Sequence, residues 1–236
     1  MVLGRWSRRG SARIWLRRAG WTLVALAALP FLLALIYRFV PPPVSALMLL
    51  RAAGGAGIDY RWAPFENISA ELPKAVVAAE DAGLCSHGGV EWGVLQDVVQ
   101  EAVDGEKQPS RGGSTIPMQV AKNLFLWPSR SYVRKGLELP LAIWIDLVWP
   151  KRRVVEVYLN IAEWAPGIYG AEAASQHHFK KPASKLTRRE ASLLAAALPN
   201  PLARQPGKPG RGLSRYARRI AARVPSTEPL LGCLGL

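Results

Sequence analysis

The strongest hydrophobic signal in the chain comes early. Ala19 to Tyr37 carries no charged residue. At 1.5 Å per residue this run is roughly 28 Å long, close to the hydrocarbon thickness of a bilayer. Trp21 and Tyr37 stand near its ends, where interfacial aromatics belong, and Pro30 is tolerated inside a membrane helix. After Pro41-Pro42-Pro43, a stiff spacer, the pattern changes to short amphipathic segments. Apolar residues at helical spacing predict helices over 44–53, from 67–70 to about 83, over 90–103, 114–126 and 131–149 (interrupted at Pro140), then over 151–164, 171–179 and 188–198. In the segment 151–164, Val154, Val155, Tyr158, Leu159 and Ala162 share the inward face. Residues 105–113 are polar and glycine-rich, hence a loop. No strand pattern and no internal repeat stands out. From residue 203 onward the chain is a tail rich in Pro, Gly and Arg, with one basic helix expected over 213–223.

Charge then fixes a topology. The chain has 236 residues and a formal net charge of +14. Arg5, Arg8, Arg9, Arg13, Arg17 and Arg18 precede the apolar run, with no acid among them. By the positive-inside rule they stay in the cytoplasm, and everything after Val40 lies outside. A cleaved signal peptide is the competing explanation. It is disfavoured because its apolar region would be shorter and a small-residue cleavage site would follow, not Arg38-Phe39-Val40-Pro41. Taking those six arginines away leaves +8 of the +14 for the rest of the chain, which still calls for an anionic partner. Nucleic acid fits the charge but not an extracytoplasmic location. The only cysteines, Cys85 and Cys233, make no disulfide framework. A bridge between them requires an oxidising compartment, and an ordered tail to carry Cys233. The organisation expected is a basic arm (1–18), an anchor (19–40), a linker (41–64), a main domain (65–202) and the tail (203–236).

Two acids draw attention as chemistry. Glu80 and Asp81 close a predicted helix, where the macrodipole disfavours a carboxylate. That setting suits either a solvated helix end or a general base with a raised pKa. Glu138 follows Arg134 by four residues and Lys135 by three, so the three share one helical face. This is an ordinary surface ion pair or an acid set in a cationic cradle, to which Lys122 and Arg130 add charge. Ser114-Thr115, after Gly112-Gly113, caps a helix or offers backbone N–H groups to a phosphate. It is not a P-loop, since no Lys-Ser/Thr follows at the required spacing. His87 on its own is expected to be structural.

Five blocks in order give these residues a context. Glu80-Asp81 leads to His87 and Gly89, similar to E-D-x-x-F-x-x-H-x-G. Gly112-Gly113-Ser114-Thr115-Ile116-Pro117-Met118-Gln119 resembles G-G-S-T-I-x-Q-Q. Arg134-Lys135-Gly136-Leu137-Glu138 matches R-K-x-x-E, Glu156-Val157-Tyr158-Leu159-Asn160 matches E-x-Y-L-N, and Arg188-Arg189-Glu190-Ala191 leads to Leu198-Pro199-Asn200-Pro201. Together, over roughly residues 65–202, they resemble the glycosyltransferase family 51 domain, in its monofunctional form.

The resemblance implies a mainly α, lysozyme-like domain behind one N-terminal transmembrane helix. It implies an inverting peptidoglycan glycosyltransferase that polymerises lipid II, a disaccharide-pentapeptide on undecaprenyl diphosphate. Glu80 falls on the family's catalytic base and Glu138 on its second acid. Ser114, Gln119, Lys122, Arg130, Arg134 and Lys135 are expected to bind substrate. A divalent cation, Mg or Mn, is expected as cofactor, with Glu138 its candidate ligand. Expected partners are lipid II, the growing strand, membrane lipid and other cell-wall synthesis proteins, with no nucleic acid. Leu84 replaces the family's Phe, Pro117-Met118 its polar residue and first Gln, and His178 its Tyr. Pro117-Met118 is the support for one alternative, a weakened member that binds lipid II as a scaffold. A glycan-cleaving muramidase is the other, and the cations around Glu138 argue against it.

Overall fold

The computed structural model describes residues 7–103, 113–129 and 131–236. Arg130 and all but the last residue of the expected loop at 105–113 lie outside the described residues. The first helix, α1 (Ser7–Tyr37), contains the apolar run and continues past it on the N-terminal side. Its stretch Arg13–Tyr37 is long and apolar enough to cross a membrane. Only its C-terminal end packs on the rest of the chain. Four residues at a helix C-terminus leave carbonyls without intrahelical donors, and here other elements meet two of them. Trp149 Nε1 donates to Ala34 O at 2.6 Å, and Arg153 donates to Tyr37 O at 2.8 Å and 3.0 Å. Trp144 Nε1 adds a bond to Phe31 O at 3.0 Å. The anchor is thereby fixed to the body it carries.

The body is built from α2 (Ala46–Ala53), α3 (Glu71–Glu80), α4 (Trp92–Val103), α5 (Ile116–Phe125), α6 (Tyr132–Val148), α7 (Lys151–Ile161), α8 (Ala171–Phe179), α9 (Arg188–Ala197) and α10 (Arg211–Thr227). Helix α5 packs on α6, α7 and α2, while α3 packs on α9 and α10. The core is contiguous through Leu72, Val76, Met118, Ile145, Tyr158 and Leu194. Capping follows the sequence. Thr187 and Glu190 form a reciprocal capping box at α9, and Thr115 caps α5 by accepting from Met118 N. Pro140 does not break α6, which runs unbroken through it.

Two expectations are corrected. A small sheet exists, made of β1 (Asp59–Tyr60), β2 (Glu163–Ala165) and β3 (Ile168–Tyr169) in the order β1-β3-β2. β1 runs parallel to β3, and β2 antiparallel to it. The helix expected over 151–164 therefore stops at Ile161, and Trp164 belongs to β2. Strands of two or three residues are too short to show alternation. The tight turn between β2 and β3 needs Gly167, at φ +73°, because a Cβ there would sit 2.5 Å from Gly57 O.

The second correction concerns the tail. Helix α10 lays Ala217, Ile220 and Val224 into the common core, and Leu231 and Leu234 follow them. The packed body thus continues well past residue 202. Arginines at the remaining positions hide this apolar stripe from a reading of composition. Cys233 is bonded to Cys85 across 148 residues, with Cα atoms 5.8 Å apart. Closing so long a loop stabilises chiefly by restricting the unfolded chain, typically by about 2–4 kcal/mol. Cys233→Ser should lower Tm by roughly 5–15 °C in a domain of this size, and the same drop should appear in wild type under reductant. A scan with and without dithiothreitol checks this, and unchanged midpoints would mean the bond does not form in solution.

Candidate active site

Glu80 is the last residue of α3, whose buried face (Leu72, Ala75, Val76) holds the helix end in place. The carboxylate Oε2 accepts from Gln119 Nε2 at 2.9 Å. Gln119 Oε1 in turn accepts from the Tyr158 hydroxyl at 2.9 Å. Three helices, α3, α5 and α7, therefore meet through one chain of hydrogen bonds. Because Tyr158 donates to the amide oxygen, the NH2 group must face Glu80. Burial pushes the Glu80 pKa above the ordinary carboxylate value, against the amide bond from Gln119 and the charge of Lys122, which pull it down. The neighbouring Asp81 charge adds to the rise, and that of Arg204 opposes it. Burial also drives the Tyr158 hydroxyl well above its usual pKa, so it stays a donor.

Asp81 has a different task. Its Oδ2 accepts from Ile116 N at 2.8 Å, at the first turn of α5, and its Oδ1 contacts His87 Nε2 at 2.9 Å. Gly89 N donates to His87 Nδ1 at 3.2 Å, so Nε2 carries the proton that goes to Asp81. Thr115 Oγ1 donates to Gly89 O at 2.6 Å, and Lys151 Nζ donates to His87 O at 2.6 Å. Gly89, at φ +89°, lies so close to α6 that a Cβ would come within 2.7 Å of Ala142 O. The loop after Glu80 is thus tied to α5, α6 and α7, and His87 is structural.

The cations line up beside this point. Lys135 Nζ donates to Ser114 Oγ at 2.6 Å and lies 3.9 Å from Glu138 Oε2. Desolvation, with Arg134 and Lys122 nearby, pushes Lys135 down to about 8. Lys122 is also lowered, mainly by burial. Glu138 is only 2 % exposed and is paired with Arg134. This is no solvated surface pair. The carboxylate sits behind the cations and holds them.

Lys122, Arg134, Gln119 and Tyr158 line a cleft of about 480 Å³. Its far wall carries the Arg51–Glu163 pair, at 3.2 Å. Glu80 lines a recess of about 20 Å³ with Glu91, Ser114 and Thr115, and reaches the large cleft through Gln119. The structure therefore gathers Glu80, Ser114, Gln119, Lys122, Arg134, Lys135 and Glu138, while Arg130 lies outside the described residues. Pro117 and Met118 do not face the cleft. Pro117 occupies the first turn of α5, where no intrahelical N–H is required, and Met118 is buried in the core.

The described residues of this arrangement do not by themselves make a site for a protein-held divalent ion. Glu138 is met by two cations, and among the described residues no second acid joins it. Among the described residues no three His, Cys, Asp or Glu converge. Tyr158, the Arg51–Glu163 pair and Arg204 also belong to the site, although no sequence signal marks them as functional. Tyr158 was legible as a buried helix position only. Arg51 and Glu163 are 112 residues apart, and nothing local links them.

A helical body, a buried acid at a helix end and a cleft walled with cations define a class of enzyme acting on an anionic substrate. Residues 49–224 match the family model described as Transglycosylase. The chain belongs to the transglycosylase family. A biosynthetic peptidoglycan transglycosylase of Agrobacterium fabrum is 55 % identical over 215 residues, covering 90 % of this chain and 94 % of that protein. One from Rhizobium meliloti is 47 % identical over 239 residues, covering 99 % of each. One from Brucella suis is 53 % identical over 214 residues, covering 90 % and 94 %. The matched span ends inside α10, in keeping with the packing of that helix on α9 and α3.

Replacing Gln119 by Leu removes the bond that favours ionised Glu80. The acidic limb of the pH–rate profile should then move to higher pH. A kcat/KM profile reads this, and an unmoved limb would show that Gln119 does not tune Glu80.

Proposed function

We propose that the protein is a peptidoglycan glycosyltransferase that extends glycan strands from lipid II, with Glu80 as the general base. The observation that carries this is the Glu80–Gln119–Tyr158 chain, ending beside a row of desolvated cations. The 4-hydroxyl oxygen of the acceptor sugar attacks the anomeric carbon of the donor. Its proton passes to Glu80 Oε, and the bond from that carbon to the diphosphate oxygen breaks with inversion. Charge grows on the departing diphosphate, where Lys122, Arg134 and Lys135 stand. Stripped of part of their hydration, these cations act on an anion more strongly than solvated ones would. Glu138 is a positioning residue that fixes Arg134 and Lys135, and Ser114 fixes the Lys135 ammonium. Arg130, outside the described residues, is assigned to substrate binding by the family resemblance alone.

Helix α1 holds the domain where a lipid-linked substrate diffuses. The outward residues Val133, Leu137, Ile143 and Leu147 of α6 are exposed and apolar, on the helix that α1 packs against. This face is suited to rest in the outer leaflet of the inner membrane and to receive the lipid tail. The basic arm then lies in the cytoplasm and the catalytic body in the periplasm. A disulfide agrees with that oxidising side.

Detergent-solubilised protein given labelled lipid II should yield muramidase-sensitive polymer, and Glu80→Gln should yield essentially none. Polymer from the variant would sink the assignment of the base. In wild type the rate should climb as Glu80 ionises, then fall as Lys135 loses its proton near about pH 8. Lys135→Arg keeps the charge at high pH, so the alkaline limb should retreat upward. An alkaline limb that stays in place would assign it to another group.

A further inference from the structure

A strongly basic surface lies outside the residues that line the cleft. Helix α10 carries Arg211, Arg215, Arg218, Arg219 and Arg223, all exposed, and no acid of its own. At 100° per residue they cover an arc of about 140°, opposite the buried Ala217, Ile220 and Val224, and they extend along about 18 Å of helix. None of the five forms an ion pair among the described residues. Acids on the elements packed around them are engaged elsewhere: Glu71 with Arg188, Glu190 with Lys181, and Glu228 with Lys74. A helix lying in a membrane surface would turn its apolar side to lipid, but here that side is spent on α9 and α3.

Between α9 and α10 lies a groove of about 490 Å³, edged by Arg189 and Arg218 with Leu193 and Ala221 beneath. Ser192, also in its lining, is 1 % exposed, and its Oγ has no hydrogen-bond partner. A buried hydroxyl without a partner is a cost that a bound acceptor would relieve. The arginine row is also connected to the active site. Residues Leu198, Pro199 and Pro201, which link α9 towards α10, line the catalytic cleft. Arg204, whose charge acts on Glu80, lies over the Tyr216 ring of α10 at 5.7 Å.

We propose that the arginine face of α10 and the adjoining α9–α10 groove bind the peptide carboxylates of the nascent glycan strand. The inference rests on the proposed function, whose product carries a pentapeptide, ending in a carboxylate, on each disaccharide. Guanidinium groups match carboxylates in a planar, two-bond geometry. A row of them, on the helix that follows the cleft-lining residues Leu198, Pro199 and Pro201 in the chain, gives the departing strand a series of equivalent, exchangeable contacts.

The test uses the full-length protein in detergent and ready-made, uncrosslinked strands bearing pentapeptides. The comparison protein has Arg211→Gln, Arg215→Gln, Arg218→Gln, Arg219→Gln and Arg223→Gln together, and a second carries Lys at the same five sites. Affinity of the Gln protein should fall about tenfold, roughly 1.4 kcal/mol, a loss within reach of five exposed ion pairs. The Lys protein should keep most of its affinity and show that the helix still folds. Ser192→Ala should weaken the same binding. Strands stripped of peptide by an amidase should bind all proteins equally weakly. The rate of the first coupling of lipid II should not change. Equal binding of wild type and Gln protein would overturn the proposal, as would an equal loss on stripped strands. A loss confined to phosphatidylglycerol vesicles would give the face to lipid instead and overturn it as well. Because the strands are supplied ready-made, binding is read whether or not the protein polymerises. Strand binding without synthesis would therefore count against the proposed function alone.

Discussion

One buried carboxylate, that of Asp81, organises the active region. Its two oxygens hold the start of α5 and the ring of His87, and the bond from Thr115 to Gly89 O joins the same two elements beside it. A carboxylate is favoured at a helix N-terminus, where free N–H groups and the macrodipole both present positive charge. Satisfying Asp81 in this way places α5 against the end of α3. Gln119, one turn into α5, then falls opposite Glu80. The two adjacent acids share a backbone and divide the work. Asp81, fully buried, is held by two donors and fixes geometry, while Glu80, less deeply buried, has one amide donor and keeps its other oxygen free of such bonds among the described residues. The disulfide at Cys85 closes the same loop from its other side and ties it to the C-terminal segment.

The same removal of water acts on acid and cations in opposite senses. It raises Glu80, which makes it a better proton acceptor once ionised, and it lowers Lys122 and Lys135. Left alone, so many cations in one place would repel one another. Glu138 relieves part of that repulsion, from a position too buried to meet substrate itself. This is a reason for an acid in the cradle that requires no metal ion. It also explains why the spacing Arg134-Lys135-x-x-Glu138 was ambiguous. Sequence spacing puts three groups on one face, but only packing shows whether that face is wet.

The helices were legible because their apolar positions recur at helical spacing, and the anchor because its run is long and uncharged. What escaped was set by contacts distant in sequence or by elements too short for a period. The sheet pairs residues 59–60 with 168–169, and no local pattern predicts such a pairing. The basic helix over 213–223 was legible, but the packing of α10 into the core escaped for a different reason. Its buried Ala217, Ile220 and Val224 are few, and its arginines dominate any compositional view. In the active site, the resemblance to family 51 indicated Glu80 and Glu138 as residues of interest. It said nothing of the hydrogen-bond chain through Gln119 to Tyr158. Nor did it show that Pro117-Met118 turns away from the cleft, which removes the sequence feature that had favoured a weakened scaffold protein.

A buried, raised carboxylate alone would not separate synthesis from cleavage of glycan. Cleaving enzymes also depend on such an acid, held protonated so that it can donate to the leaving sugar oxygen. The difference lies in what surrounds the departing group. A sugar hydroxyl leaves after receiving a proton and needs no cation. A diphosphate leaves as an anion and needs several. Lys122, sharing the cleft with Gln119 and near enough to lower the Glu80 pKa, also favours the ionised form of that acid. An ionised Glu80 accepts a proton and does not donate one. In the proposed reaction the cations thus act twice, by stabilising the departing diphosphate and by offsetting part of the rise that burial imposes on the Glu80 pKa. That coupling ties the direction of the reaction to the composition of the cleft.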